Sequence, residues 1–113
     1  RIRGEVFWQW ADPKLHSRTH EERLDDGTLI DVQVRLSRVG ATQLFVGIYD
    51  TDGALIHEEG HDSRPGESMT KAMAWGVQRA RHIVTEGKEY SSKNAGRDHN
   101  HELIGKQSVS NLL

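Results

Sequence analysis

The longest regular pattern in the chain lies between Glu67 and Gly87. At about 100° per residue, Met69, Ala72, Met73, Gly76, Val77, Ala80, Ile83 and Val84 fall on one side, a stripe wide enough to face a core. The spacing predicts a helix over residues 67–87. Ser68 is a candidate N-cap, or Ser63 ahead of an irregular start through Pro65. Glu67 sits at the positive end of the helix dipole, and Gly87 suits a left-handed C-terminal cap. Gly76 lies inside the apolar stripe, where glycine costs about 1 kcal/mol relative to alanine. The expected reason for it is a close approach of helix backbone to a sheet.

Upstream, the period changes from that of a helix to that of a strand. In residues 28–38, Ile30, Val32, Val34 and Leu36 alternate with Asp31, Gln33, Arg35 and Ser37, and Gly40 marks the turn that follows. Residues 43–50 put Leu44, Val46 and Ile48 on one face and Phe45 and Tyr49 on the other. Asp50-Thr51-Asp52-Gly53 predicts a hairpin turn, from which residues 54–61 return with Ile56 toward the core and Leu55, His57, Glu59 and His61 away from it. A tightly closed hairpin sets Ile48 opposite Ile56 and Tyr49 opposite Leu55. Residues 14–24 fit either a helix opening at Asp12-Pro13 or a charged edge strand over Thr19–Leu24 that turns at Asp26-Gly27. The edge strand is preferred, since charge on an edge discourages sheet-to-sheet aggregation. Residues 4–10 are rich in strand-favouring types, with Val6, Trp8 and Trp10 on one side and Phe7 on the other, and predict a short strand ended by Ala11-Asp12-Pro13.

These elements add up to a two-layer α+β domain: an antiparallel β-meander of three to five strands packed against one main helix, residues 1–87 in all. Residues 88–113 are polar and aperiodic and read as a tail, with Leu103-Ile104 and Leu112-Leu113 its apolar spots. One helix shields one face of a sheet. The other face would carry Phe45, Tyr49, Leu55 and His57, and an uncovered patch of that kind marks an interaction site. The Trp8/Trp10 segment, the tail or a second copy of the chain could cover it, and sheet-mediated homodimers are common.

Composition narrows the picture. A chain of 113 residues is one domain on ordinary priors and large enough to fold without a metal or disulfide. It has no cysteine, which excludes disulfides, thiolate zinc sites and cysteine nucleophiles and fits a cytoplasmic, reducing compartment. Fifteen Lys and Arg against seventeen Asp and Glu leave a net charge of −2, which argues against tight non-specific nucleic-acid binding. No apolar run is long enough to span a membrane.

Candidate chemistry is sparse. Seven histidines are many for this length. His57, Glu59 and His61 alternate along one strand, a weak candidate metal or hydrolase set; same-face residues there are nearly 7 Å apart, so a bulge, for which Gly60 is placed, would be needed to bring all three to one ion. His16 and His20 share a helical spacing, and His99 and His101 lie in the tail. Asp50 and Asp52 have an adequate role in their turn. Neither a nucleophile elbow nor a glycine-rich phosphate loop is present, and no cofactor is implied. The predicted outer face of the helix is more informative. Lys71, Trp75, Arg79 and His82 form a row there, with Arg79 placed to stack on Trp75. Aromatic and arginine side chains are enriched at protein interfaces. The leading expectation is therefore a non-enzymatic domain that binds protein, its own copy included, through this row or the sheet face. Nucleic-acid binding through Lys71, Trp75, Arg79 and Arg81 is the second.

Overall fold

The computed structural model describes residues 1–93, with side chains through Lys88. The element order is α1 (Glu5–Trp10), β1 (Arg18–Arg23), β2 (Leu29–Leu36), β3 (Thr42–Tyr49), β4 (Leu55–His61) and α2 (Met69–Lys93). The chain divides after His82: the sheet, α1 and α2 through His82 belong to the first unit, and the described residues from Ile83 onward to the second. The strands form one antiparallel sheet in the order β1-β2-β3-β4, a meander with β1 and β4 at its edges. The α+β class, the meander and the main helix stand as the residue pattern predicts.

The strand alternation works as expected in the two central strands. Ile30 pairs with Ile48, Val32 with Val46 and Val34 with Leu44. All six side chains are fully buried. Burying a side chain of this kind is worth about 1.5–3 kcal/mol, so this patch is the main source of stability. The helix lies directly on it at Gly76: a Cβ there would stand 2.6 Å from Val32 Cγ1 and 2.9 Å from Leu44 Cδ1. The backbone therefore approaches the sheet as closely as glycine alone permits, with Ala72 and Ala80 buried one turn to either side. At the start of α2 the Ser68 hydroxyl accepts the Lys71 N–H at 3.1 Å, the N-cap read from the sequence. Thr42 ties the approach to this helix onto β3, its carbonyl accepting the Arg64 N–H and its hydroxyl donating to the Glu67 carbonyl. The helix does not stop at Gly87 but continues to Lys93, so the expected C-cap and the start of the tail are both corrected. His99, His101 and the two apolar spots of the tail lie outside the described residues.

Residues 5–10 form a helix, not a strand. Six residues are too few for a helix to hold itself together in water, so tertiary contacts decide this one. Its exposed N–H groups are taken up by an acid from β4. The Glu58 carboxylate accepts the Gly4 N–H at 3.0 Å and the Phe7 N–H at 3.1 Å, and it also accepts the Tyr49 hydroxyl at 2.6 Å. Helical spacing then turns Phe7 and Trp10 together onto Phe45, at ring-centroid distances of 5.2 and 5.7 Å. Trp10 is buried while Trp8 is 66% exposed, so the two tryptophans do not share a face.

The reverse face of the sheet is consequently covered by the chain itself. Phe45 and Tyr49 are fully buried under the N-terminal segment, the first of the three covers the sequence allowed. A row of register positions crosses that face, Glu21, Asp31, Gly47 and Glu58, with three acids flanking a glycine. Arg1 pairs with Glu21 and Asp31, and Arg3 pairs with Asp31 and donates to the Tyr49 hydroxyl. The segment is thus fastened by ion pairs as well as by aromatic rings.

The return strand departs from a tight hairpin. Tyr49 pairs with Leu55 as expected, but Ile48 pairs with His57 because a β-bulge intervenes. The extra residue is Ile56, which is 54% exposed and does not enter the core. Downstream of the bulge every side chain changes face. His57, Glu59 and His61 therefore lie on the α2 side of the sheet, in line with the buried Ile48, Val46 and Leu44.

Candidate functional site

The two edges of the sheet are built differently. On β1 every side chain from Arg18 to Arg23 is polar or charged, as expected of an edge kept from pairing. Along β4 lie four of the exposed apolar side chains; Ile2, Trp8, Leu36 and Val39 are exposed elsewhere. Leu55 and Ile56 belong to the strand and are 45% and 54% exposed. Val6 of α1 reaches Gly60, and Trp75 of α2 meets the His61 ring edge-on at 5.4 Å. Among the described residues, no strand pairs with the outer side of β4.

On the α2 side of this edge, one carboxylate gathers three partners. Glu59 Oε1 lies 2.8 Å from His57 Nε2 and 3.2 Å from an Arg79 guanidinium nitrogen; Oε2 lies 2.7 Å from His61 Nε2. Burial pushes the Glu59 pKa up, but the hydrogen bonds from His57, His61 and Arg79, with the charge of the guanidinium, outweigh it and hold the group far below the usual carboxylate range. His57 and Glu59 are both buried. The side chains span the strand repeat by bending toward Glu59, which backbone spacing alone does not reveal. Both Nε2 atoms face the carboxylate and Arg79 adds a positive charge beside it. Among the described residues, no group of three or more His, Asp or Glu side chains is disposed to hold a metal ion.

The predicted row on α2 is divided among different partners. Trp75 is covered on one ring face not by Arg79 but by Arg64, whose guanidinium carbon stands 4.0 Å from the ring centroid and which also pairs with Glu67. Arg79 turns to Glu59 instead, while Lys71 and His82 are exposed. The cations that nucleic-acid contact would need are largely committed within the chain, Arg79 to Glu59 and Arg81 to Glu22. Arg81 and His20 hold Glu22 below the usual carboxylate range. Of the predicted sheet-face set, Phe45 and Tyr49 are buried, His57 lies on the opposite side, and Leu55 is exposed beside the bulge. Asp50 Oδ1 accepts the backbone N–H groups of Asp52 and Ala54, so it is occupied in shaping its turn.

Sequence reasoning missed Glu58, Asp31, Arg1 and Arg3, which hold the reverse face closed. Asp31 is fully buried between Ile30 and Val32 in the strand, and Glu58 is buried on the same face two strands over. Acids placed there are the available signal. Their N-terminal partners, Arg1, Arg3, Gly4 and Phe7, lie between 28 and 54 residues away in the chain, beyond any local period.

Compared with known proteins, the chain matches no family model, no curated protein sequence and no solved structure. The fold therefore defines a class, a two-layer α+β domain with a four-stranded antiparallel meander. No helix among the described residues is long and apolar enough to cross a membrane.

Proposed function

We propose that the chain is a non-enzymatic protein-binding domain that acts as a homodimer. The observation that supports this reading is the asymmetry of the sheet: one edge is entirely polar, while the other collects Val6, Leu55, Ile56 and Trp75, all at least a third exposed. An edge strand of that kind offers both backbone hydrogen-bonding groups and apolar contact to an incoming chain. The reverse face of the sheet no longer enters this reading, because Arg1–Trp10 occupies it. Multi-angle light scattering tests the proposal. The expected mass is twice 12.8 kDa, and a clean monomer at tens of micromolar removes the homodimer.

A further inference from the structure

We propose that two copies join by antiparallel pairing of their β4 strands about a two-fold axis at Glu58, which makes one continuous eight-stranded sheet. This rests on the homodimer reading above. A two-fold axis normal to a sheet keeps each side chain on its own face, so opposed residues must be an even number of positions apart and the axis must pass through a residue.

Glu58 is the midpoint of Leu55–His61, so an axis there is the one that overlaps the whole strand. It sets His57 of each copy opposite Glu59 of the other, twice by symmetry, so that on the α2 side no carboxylate faces a carboxylate. It also brings Ile56, the exposed residue of the bulge, opposite Gly60, where a Cβ would stand 3.3 Å from Trp10 Cδ1 and 3.8 Å from Val6 Cγ1, so the incoming Ile56 arrives beside the Trp10 and Val6 side chains of α1. Glu58 then faces its own copy across the axis. That repulsion is limited because both carboxylate oxygens are turned back into their own chain by Gly4 N–H, Phe7 N–H and the Tyr49 hydroxyl.

The neighbouring axes are worse. An axis at Glu59 opposes Glu59 to itself and His57 to His61. An axis at Gly60 overlaps only Glu59–His61 and sets Glu58 against Asp62. An axis at His57 forces the bulged residues into the middle of the ladder. Charge and overlap therefore select the same register.

The chain has no cysteine, so the register can be read by disulfide trapping in a clean background. Ile56→Cys and Gly60→Cys chains are mixed and oxidised. The expected result is a cross-linked dimer in the mixture and none from either variant alone. Like positions would be four residues apart along the ladder, roughly 13 Å, well beyond disulfide reach. Cross-linking of Gly60→Cys alone would move the axis to Gly60 and overturn the proposal. The unmodified protein supplies a second test: backbone hydrogen exchange above and below the dissociation concentration. Dimerisation should slow exchange at least tenfold at the outward-facing amides of residues 55–61, those not already bonded to β3, and leave β1 unchanged. A wild-type dimer that protects β1, or neither edge, overturns the β4 arrangement but keeps the homodimer. A protein monomeric by light scattering overturns both.

Discussion

Replacing Gly76 by alanine sets two effects of known sign against each other. Alanine favours the helix by about 1 kcal/mol over glycine, through propensity and a less disordered unfolded chain. The new methyl, however, would arrive 2.6 Å from Val32 Cγ1 and 2.9 Å from Leu44 Cδ1. Carbon atoms in contact prefer about 3.5–4.0 Å, so the helix or both side chains must move by about 1 Å. Val32 and Leu44 are fully buried among equally buried neighbours and have little room to retreat. Overpacking of this kind costs about 1–3 kcal/mol. The net expectation is a loss of roughly 1 kcal/mol, against the helix-propensity trend. Gly87 provides the control on the same helix, because a Cβ there meets nothing within 4 Å. Gly87→Ala should stabilise by up to about 1 kcal/mol. Urea titration followed by circular dichroism would then separate the two variants by about 2 kcal/mol, with the unfolding midpoint moving down for one and up for the other. If Gly76→Ala stabilises as much as Gly87→Ala, α2 does not lie on Val32 and Leu44, and the account of the core is wrong.

Glu58→Gln should destabilise by about 2–3 kcal/mol, because an amide presents a donor where three donors converge; equality with wild type in urea unfolding would deny Glu58 its role in holding α1. Glu59 has a folded pKa depressed below its ordinary 4.5. Its stabilising contribution is therefore complete above about pH 4.5 and is lost as pH falls toward the folded value. Thermal melts across that window should show a fall that Glu59→Gln flattens, though not wholly, since Glu22 is depressed as well; an unchanged acid limb would count against the His57–Glu59–His61–Arg79 cluster. Trp10→Ala should cost about 3–5 kcal/mol, and Trp8→Ala should stay within about 0.5 kcal/mol, by chemical denaturation. The opposite order would mean that α1 presents its other face to the sheet.

The residues themselves determined most of the fold. Alternation of apolar and polar positions in β2 and β3, glycine at the hairpins and the stripe from Met69 to Ala80 are local signals, and local periodicity suffices to orient an element toward a core. Gly76 was readable for the same reason: a glycine in the buried stripe of a helix has few explanations other than close approach. What the tertiary structure alone decided is where a local rule had two answers. Val6, Trp8 and Trp10 alternate as a strand would, yet Glu58, fifty-one residues beyond Phe7, accepts the N–H groups of a helix start and makes the helix the better-satisfied form. One bulged residue, Ile56, carried His57, Glu59 and His61 to the opposite face, and period-two patterning has no means of detecting such an insertion. Partners for Trp75 and Arg79 were likewise settled by which strands and connections came to lie beside α2. Periodicity reports the face a residue turns inward; it carries no information about which distant charge or ring will be waiting there.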